Sequence, residues 1–414
     1  MYASDAGDTP NLRTSVEPLV ALGATVELGA HDLERVSRCA AVVVSPGVPP
    51  EVPVLRAARE AGCAVVAEID LAARVLRGAH LIAVTGTNGK TTTTALIEHL
   101  LCAGGLSAVA AGNIGRPLIS IADDPPADWI VVEVSSFQLH DAPSLDPDIG
   151  VVTNLAPDHL NRYRSIEDYY CDKQRLFQHA RADATWVLNG DDDAVLALAG
   201  TAPGRRVLWR MGQPADAWFD RTDQSLKLGH AKFAARDELQ LLGEHNIENV
   251  LAAALVASAA GVNQAEIGKA VATFRPLAHR LEPVREVRGV MWINDSKATN
   301  VASARAAIGA MTRPFVLLVG GRDKGEDFGQ LNSWLGSQCL GVVAYGEAKE
   351  RLARAVTTAT HVSTVETLAD AVAQARVWAE PASAVLLAPA CASFDQFVNY
   401  EERGNTFREL VADL

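Results

Sequence analysis

The sequence predicts an α/β protein with mainly parallel β-strands and two or three domains. Short apolar runs alternate with helical patterns along nearly the whole chain, which is the order of elements that a parallel sheet requires. The runs are rich in Val, Leu and Ile on both faces, as in strands that helices cover on both sides. The domain count follows from the length of 414 residues, at about 150 residues per domain. The predicted strands lie at 41–44, 81–85, 129–134, 150–153, 186–188, 315–319 and 384–387.

Composition and charge exclude several classes of protein. With 49% hydrophobic and 21% charged residues, the chain has the balance of a globular protein and not of a disordered or fibrous one. Lys and Arg number 37 against 50 Asp and Glu, so the formal net charge is -13. This acidic balance argues against nucleic-acid binding, which is driven by neutralising phosphates.

Cysteine spacing and the opening segment indicate a cytoplasmic protein. No two of the six cysteines form a CxxC pair, so reduced, packed thiols are expected. Asp5 and Asp8 stand where a signal peptide is basic. The uncharged run 250–262 is shorter than the roughly 18 residues of a membrane span. We therefore expect a cytoplasmic location without membrane insertion.

Motif spacing sets the predicted domain boundaries, because composition does not mark them. The first boundary is expected at 77, before the strand that leads into a Gly-rich turn. The second is expected at 276, where Pro276 interrupts a helical pattern. The predicted domains are 1–77, 78–276 and 277–414.

A Gly-rich turn at 85–92 is the strongest local signal for function. It lies between a predicted strand and a helical pattern, so backbone N–H groups and the positive end of the helix dipole would point at an anion. Lys90 could reach the β- and γ-phosphates of a nucleotide, and the Thr91 hydroxyl could bind Mg²⁺. Position 84 is Val where the full Walker pattern has Gly, so the loop is a shortened one, and a turn without a ligand is the alternative. The expected phosphate contacts are Gly86, Thr87, Asn88, Gly89, Lys90, Thr91 and Thr92.

Two polar residues follow neighbouring predicted strands. Glu133 lies at the end of the run 129–134, and His159 comes shortly after the run 150–153. Open α/β sheets bind ligands at the carboxyl ends of their strands, and a strand-end carboxylate holds the metal in many phosphate-loop enzymes. Each residue alone could be structural, but their placement on consecutive strands favours a shared site.

Three other residues carry weaker signals. Lys173 lies in a helical pattern, where an exposed lysine is the default expectation. Asn246 and Asn249 are three positions apart, share one helix face and could contact an adenine edge. Helix capping is the competing explanation for the two asparagines.

Polar clusters recur after the predicted strands of the last domain. Lys297, Arg322 and Lys324 bring positive charge to them, which suits an acidic substrate. Surface charge would explain any one cluster but hardly all of them. The clusters lie at 278–282, 293–300, 320–328 and 388–397.

Taken together, these motifs resemble the ATP-dependent Mur ligases of peptidoglycan synthesis. The matching segments, in the order of that family, are GTNGKTTT at 86–93, EVSSFQL at 133–139, NLAPDHLNRY at 154–163, HNIENVLAAA at 245–254, NDSKATN at 294–300, GGRDKGEDF at 320–328 and APACASFDQF at 388–397. The first four are shared with folylpolyglutamate synthases, which keeps a ligase of that type as an alternative. The last two resemble the glutamate-adding branch specifically.

The resemblance implies both a fold and an activity. The fold would comprise a Rossmann-like N-terminal UDP-binding domain, a central phosphate-loop ATPase domain and a Rossmann-like C-terminal domain. The activity would be ATP- and Mg²⁺-dependent ligation of D-glutamate to UDP-N-acetylmuramoyl-L-alanine through an acyl phosphate, with L-glutamate as the alternative. A monomer that binds small molecules, without nucleic-acid or membrane partners, is expected.

The same resemblance assigns roles to individual residues. The catalytic residues would be Lys90, Glu133, His159 and Lys173. Thr91 and Glu133 would bind one Mg²⁺, and His159 would bind a second metal together with Lys173, which would carry a carbamate. The remaining ATP contacts would be Asn246, Asn249, Arg280 and Asp295. The substrate contacts would be Ser45, Pro46, Gly47, Asn113, Lys297, Thr299, Lys324, Ser393 and Phe394.

The chain departs from the family pattern at its beginning. The segment 2–5 resembles the second strand of the family's N-terminal domain, so roughly 30 residues with a first strand and a Gly-rich turn are expected upstream. A mis-assigned start is the preferred explanation. The alternative is a truncated paralogue that binds nucleotides without catalysis.

Overall fold

A computed structural model describes residues 1–76, 78–158 and 162–414 of the chain. They form two compact units. The first comprises Met1–Trp218, Leu228–His230 and Leu251–Ile267, and the second comprises Phe219–Lys227, Ala231–Val250 and Gly268–Leu414. The division into domains at 77 and 276 stays a prediction.

The strands are β1 (Tyr2–Asp5), β2 (Thr25–Leu28), β3 (Ala41–Val44), β4 (Ala64–Ala67), β5 (His80–Thr85), β6 (Ala108–Gly112), β7 (Trp129–Glu133), β8 (Ile149–Val152), β9 (Thr185–Asn189), β10 (Arg205–Met211), β11 (Ala217–Asp220), β12 (Ser225–Leu228), β13 (Ala231–Ala235), β14 (Glu282–Val287), β15 (Val290–Asn294), β16 (Phe315–Gly320), β17 (Cys339–Tyr345), β18 (Val362–Val365) and β19 (Ala384–Leu387).

The α-helices are α1 (Pro10–Ala21), α2 (Leu33–Val36), α3 (Pro53–Glu60), α4 (Glu68–Val75), α5 (Lys90–Ala103), α6 (Ser136–His140), α7 (Ile166–Gln174), α8 (Asp193–Ala199), α9 (Glu244–Ala259), α10 (Gln264–Thr273), α11 (Val301–Gly309), α12 (Asn332–Leu335), α13 (Lys349–Ala355), α14 (Leu368–Trp378) and α15 (Tyr400–Ala412).

The first unit is built on parallel strands in the order β10-β9-β8-β5-β7-β6. β8 is buried along its whole length, and so are the last four residues of β5. This burial explains why the strands have continuous apolar runs, since a parallel sheet is covered on both faces. Because β5 lies between β7 and β8, the loops after these three strands emerge side by side at one edge of the sheet.

Two short parallel sheets precede this sheet, one formed by β1 and β2 and the other by β3 and β4. The second packs on a small apolar cluster that includes Val44, Leu55 and Cys63. β3 ends at Val44, so the loop that begins with Ser45 lies at its carboxyl end.

The second unit contains a six-stranded sheet in the order β14-β15-β19-β16-β17-β18. The pair β14–β15 is antiparallel and the other pairs are parallel. Leu317 and Val319 of β16 belong to one core cluster, whereas Val316 and Leu318 belong to another. Successive side chains of a strand point to opposite faces, so this sheet has a core on each side.

The predicted α/β class with mainly parallel strands is confirmed. The ends of β5, β7 and β8 lie within one residue of their predicted positions. Across the three described ranges, no helix has both the length and the apolar character needed to cross a membrane.

Candidate active site

The Gly-rich turn connects β5 to α5 at the edge where the loops of the first unit emerge. Gly86 has a φ of 139° and Gly89 has a φ of 82°, which side chains rarely allow. A Cβ on Gly86 would also lie 1.9 Å from the Thr153 Oγ1 atom. Both glycines are therefore required by the path of the backbone. The positive end of the α5 dipole points at the loop, because α5 begins at Lys90.

Asn154, which follows β8, fastens this loop from the neighbouring strand. The Asn154 carbonyl accepts a hydrogen bond from the Thr87 N–H at 2.8 Å. The Asn154 side chain accepts one from the Asn88 N–H at 2.9 Å and donates one to the Asn88 carbonyl at 3.0 Å. No separate role for Asn154 could be predicted, because nothing in the local sequence shows that residues 66 positions apart are in contact.

Two lysines meet at one carbonyl oxygen of the loop. The Nζ atom of Lys90 donates to the Gly86 carbonyl at 3.0 Å and to the Thr87 carbonyl at 2.8 Å. The Nζ atom of Lys173, from α7, donates to the same Gly86 oxygen at 2.8 Å. The expectation of an exposed helix lysine is wrong for Lys173, whose exposed fraction is 1%.

This arrangement affects the protonation of Lys173. Burial lowers the pKa of its amine well below the usual value, and the cation of Lys90 lowers it further. Both effects disfavour the charged form, because a buried cation loses hydration and a neighbouring cation repels it. The environment of Lys173 therefore favours the neutral amine over the charged form.

Glu133 ends β7 beside the loop, with 2% of its surface exposed. Its Oε1 atom accepts a hydrogen bond from the Asn113 side chain at 2.9 Å. Its Oε2 atom is buried and has no hydrogen-bond partner within the described part of the chain. A buried carboxylate oxygen without a donor is costly, and a hard cation is a ligand that would satisfy it. Glu133 thus fits a Mg²⁺ ion, and Thr91, its predicted partner, lies in the first turn of α5.

His159 lies outside the described residues, so its predicted placement beside Glu133 stays a prediction. Within the ranges that are described, no three His, Cys, Asp or Glu side chains converge as a metal site. The predicted metal ligands differ from such a cluster, since they include the Thr91 hydroxyl and a modified Lys173.

The second unit brings three of its predicted polar clusters to adjacent strands. β15, β19 and β16 are neighbours, and the clusters 293–300, 388–397 and 320–328 begin at or directly after their carboxyl ends. The backbones of Arg322 and Ala392 form a bridge that joins two of these loops. Lys297 places its Nζ atom 3.9 Å from the centre of the Tyr400 ring. Ser393 is buried, whereas Lys324 and Phe394 are exposed and Thr299 is half-buried.

Arg403 of α15 joins all three loops, and the sequence analysis missed it. Its guanidinium is fully buried and donates to Ser296 Oγ at 2.9 Å and to the Ser296 carbonyl at 2.8 Å. It also donates to the carbonyls of Cys391 at 3.1 Å and Gly320 at 3.4 Å. No local pattern separates this arginine from the exposed charges around it in the sequence.

Asn246 and Asn249 lie on one helix face, as their spacing predicts. The Asn249 side chain donates to Asn246 Oδ1 at 3.0 Å, and the Asn246 side chain donates to the Leu242 carbonyl at 2.7 Å. Both are buried. The bond to Leu242 lies at the start of α9, so Asn246 also organises the helix end.

Asp295 and Arg280 are both among the predicted ATP contacts. Asp295 follows β15 directly and is buried, whereas Arg280 is half-buried. Its Oδ1 atom accepts a hydrogen bond from the Leu281 N–H at 3.0 Å. Burial raises the pKa of its carboxyl from 3.8 to about 7, although this hydrogen bond and the charge of Arg280 oppose the rise. The carboxyl therefore titrates near neutral pH.

We expect Asp295→Asn to stabilise the protein more at pH 8 than at pH 5. The native carboxyl keeps its proton up to about 7 while the unfolded one loses it near 3.8, so the stability of the wild type falls as pH rises through this window. The advantage of the variant should grow by about 2 kcal/mol between the two pH values. Urea unfolding at both values measures it, with exposed Asp123→Asn as the control. An advantage independent of pH would contradict the expectation.

The fold and the Gly-rich turn define a phosphate-loop α/β protein. Residues 84–257 match the family model of the Mur ligase middle domain, and residues 279–391 match that of the Mur ligase glutamate ligase domain. The chain belongs to the Mur ligase family.

Curated relatives match nearly the whole chain. One is the UDP-N-acetylmuramoylalanine--D-glutamate ligase of Acidobacterium capsulatum, which is 40% identical over 99% of this chain and 90% of its own length. The enzyme of the same name from Myxococcus xanthus is 41% identical over 100% of this chain and 92% of its own length.

Solved structures support the fold. A pseudomurein peptide ligase type C from Methanothermus fervidus gives a TM-score of 0.62 at 18% identity and covers 100% of this chain and 94% of its own. The UDP-N-acetylmuramate-alanine ligase of Thermotoga maritima gives the same TM-score at 18% identity, with 100% and 93% covered.

Proposed function

We propose that this chain is an ATP-dependent ligase that adds D-glutamate to UDP-N-acetylmuramoyl-L-alanine in peptidoglycan synthesis. The observation that carries the proposal is identity of 40% over 99% of the chain to ligases named for this reaction. The phosphate loop, with Lys90 and the buried Lys173 at its Gly86 carbonyl, supports it. Phosphoryl transfer depends on positioned groups of this kind.

The reaction has two steps. A carboxylate oxygen of the nucleotide substrate attacks the γ-phosphorus of ATP, ADP leaves, and an acyl phosphate forms. The amine of glutamate then attacks the acyl carbon and loses a proton, and phosphate leaves as the amide bond forms. Fixed N–H groups and cations stabilise the charge that develops on the phosphate oxygens.

In the first unit, the loop residues 86–92 hold the ATP phosphates and Lys90 neutralises their charge. Thr91 and Glu133 hold Mg²⁺. The buried Oε2 atom of Glu133, which has no hydrogen-bond partner among the described residues, supports this assignment. When bound, Mg²⁺ neutralises and orients phosphate oxygens. His159 belongs to the second metal site with Lys173.

Lys173 carries a carbamate in this proposal. A neutral amine attacks CO₂ and releases a proton, which gives an anionic carbamate that can bind a metal. The lowered pKa and the burial of Lys173 support the modification, because it requires the neutral amine. The modification turns a neutral amine into an anionic group with two oxygen ligands that suit a hard cation.

The remaining assignments divide by substrate. The adenine and the ribose side of ATP are contacted by Asn246, Asn249, Arg280 and Asp295. The nucleotide substrate is contacted by Ser45, Pro46, Gly47 and Asn113. Glutamate is contacted by Lys297, Thr299, Lys324, Ser393 and Phe394. The enzyme acts in the cytoplasm, as a monomer on small molecules.

Phosphate release tests the proposed function. The purified chain is given ATP, Mg²⁺ and UDP-N-acetylmuramoyl-L-alanine with D-glutamate, L-glutamate or neither. We expect release with D-glutamate alone, and none from a Lys90→Ala variant. Release with L-glutamate alone would mean that the ligase uses L-glutamate and not D-glutamate. Silence with both would favour a nucleotide-binding protein without catalysis.

A further inference from the structure

The loop that begins at Ser45 is held by an arginine from a distant part of the chain. Arg162 donates one guanidinium N–H to the Pro46 carbonyl at 2.7 Å and another to the Val48 carbonyl at 2.9 Å. These two carbonyls flank Gly47. Among the described residues, one backbone hydrogen bond closes the turn within the loop, from the Val48 N–H to the Ser45 carbonyl at 3.0 Å. Its shape therefore depends strongly on Arg162.

The guanidinium is itself fixed by an aromatic ring. Its central carbon lies 3.8 Å from the centre of the Phe137 ring, a stacking geometry that favours Arg over Lys. Burial of the cation lowers the pKa of Arg162, against the charges of nearby acidic groups. The planar guanidinium stacks on the ring with one face and donates two hydrogen bonds from its edge. An ammonium group cannot reproduce this geometry.

The Phe137 ring also contacts a tyrosine that is hydrogen-bonded to α7. Phe137 stacks on Tyr163 with their ring centres 5.6 Å apart. The Tyr163 hydroxyl donates to the Asp172 carboxylate at 3.0 Å, and the other carboxylate oxygen lies 2.8 Å from His140 Nδ1. These contacts fix the Phe137 ring from below, and Arg162 itself donates to the loop and not, within the described part of the chain, to α7.

We propose that Arg162 is a positioning residue that holds the loop 45–49 in the conformation that receives the nucleotide substrate. Its role in catalysis is indirect, because it acts through the Pro46 and Val48 carbonyls and does not touch the reacting atoms. The inference rests on the proposed function. It predicts that loss of Arg162 weakens binding of UDP-N-acetylmuramoyl-L-alanine and leaves the use of ATP and glutamate unchanged.

Steady-state kinetics with each substrate varied in turn test this role. We expect Arg162→Met to raise the KM for the nucleotide substrate about tenfold, as the loss of two charged hydrogen bonds at a binding loop implies. The KM values for ATP and D-glutamate and the kcat should change less than about threefold. A raised KM with an unchanged kcat indicates a loss of substrate binding that is equal in the ground state and the transition state. Arg162→Lys should fall between, because it keeps the charge without the fork. Phe137→Leu should act in the same direction and be non-additive with Arg162→Met.

Arg164 provides the matched control, since it lies two residues away and reaches the same region of the chain. Its side chain is 84% exposed and lies 3.9 Å from Glu51, so Arg164→Met should change no constant measurably. Thermal unfolding of all variants separates a positioning role from misfolding.

Binding of UDP-N-acetylmuramoyl-L-alanine, measured by calorimetry, gives a readout independent of turnover. Equal affinity in wild type and Arg162→Met, or an equal rise of all three KM values, would overturn the positioning role while the ligase assignment stands. A wild type that neither binds nor turns over this nucleotide would overturn the proposed function, and the inference with it.

Discussion

Replacing Lys173 with alanine is expected to reduce ligase turnover by about three orders of magnitude, the scale of losing one charged group that positions a transferred phosphoryl group. Lys173 is 1% exposed and donates to the Gly86 carbonyl beside Lys90. Alanine removes both the amine on which the proposed carbamate would form and its bond to the loop. It also leaves a cavity beside the phosphate site that a small anion can enter.

Small carboxylates should therefore restore part of the activity. Formate and acetate supply the two oxygens that the carbamate would present, so they are added at increasing concentration to Lys173→Ala. Lys173→Arg introduces a permanent cation that cannot be carbamylated, so this variant should stay inactive. Lys349→Ala, which removes a lysine paired with Glu366, is the control and should keep full activity.

A carbamate on Lys173 can also be observed without turnover. Carbon-13 NMR of wild type under labelled CO₂ should give one carbamate signal that Lys173→Ala lacks. Full activity of Lys173→Ala without added carboxylate would remove Lys173 from the mechanism. If Lys173→Ala is inactive, carboxylates do not restore it and the wild type shows no carbamate signal, Lys173 has a structural role only.

Replacing Arg403 with methionine should lower the free energy of unfolding by about 4 kcal/mol, since each buried acceptor left without a donor costs about 1–3 kcal/mol. The guanidinium is fully buried and donates four hydrogen bonds, to three carbonyls and one hydroxyl. Methionine fills much of the volume and makes none of these bonds. The loops after β15, β16 and β19 would lose their common donor.

Urea unfolding followed by circular dichroism measures the loss. Arg408 lies on the same helix α15, is 43% exposed and pairs with Glu282 at 3.1 Å, so Arg408→Met should cost less than about 1 kcal/mol. Arg403→Lys should lie between the two, because it keeps the charge and part of the bonding. A loss below about 1 kcal/mol for Arg403→Met would contradict the role of Arg403 as the common donor.

Much of the first unit could be predicted because its signals are local. The apolar runs of β5, β7 and β8 identify buried parallel strands, and the path of the loop at Gly86 and Gly89 requires the residue found there. Glu133 ends β7, which pairs in parallel with β5. It therefore lies at the same edge of the sheet as the phosphate loop that follows β5.

The sequence by itself determined the α/β class, the phosphate loop and the resemblance to the family that the relatives confirm. Only the tertiary structure decided which charged side chains are buried, as Lys173 and Arg403 are, or half-buried, as Arg162 is. Lys173 meets Gly86 across 87 positions, Arg162 meets Pro46 across 116, and Arg403 meets Ser296 across 107. Each looks like an exposed charge in its own helix or loop, because local sequence does not encode the backbone carbonyls that a distant segment presents. Burial of a cation depends on those partners, and folding alone brings them together.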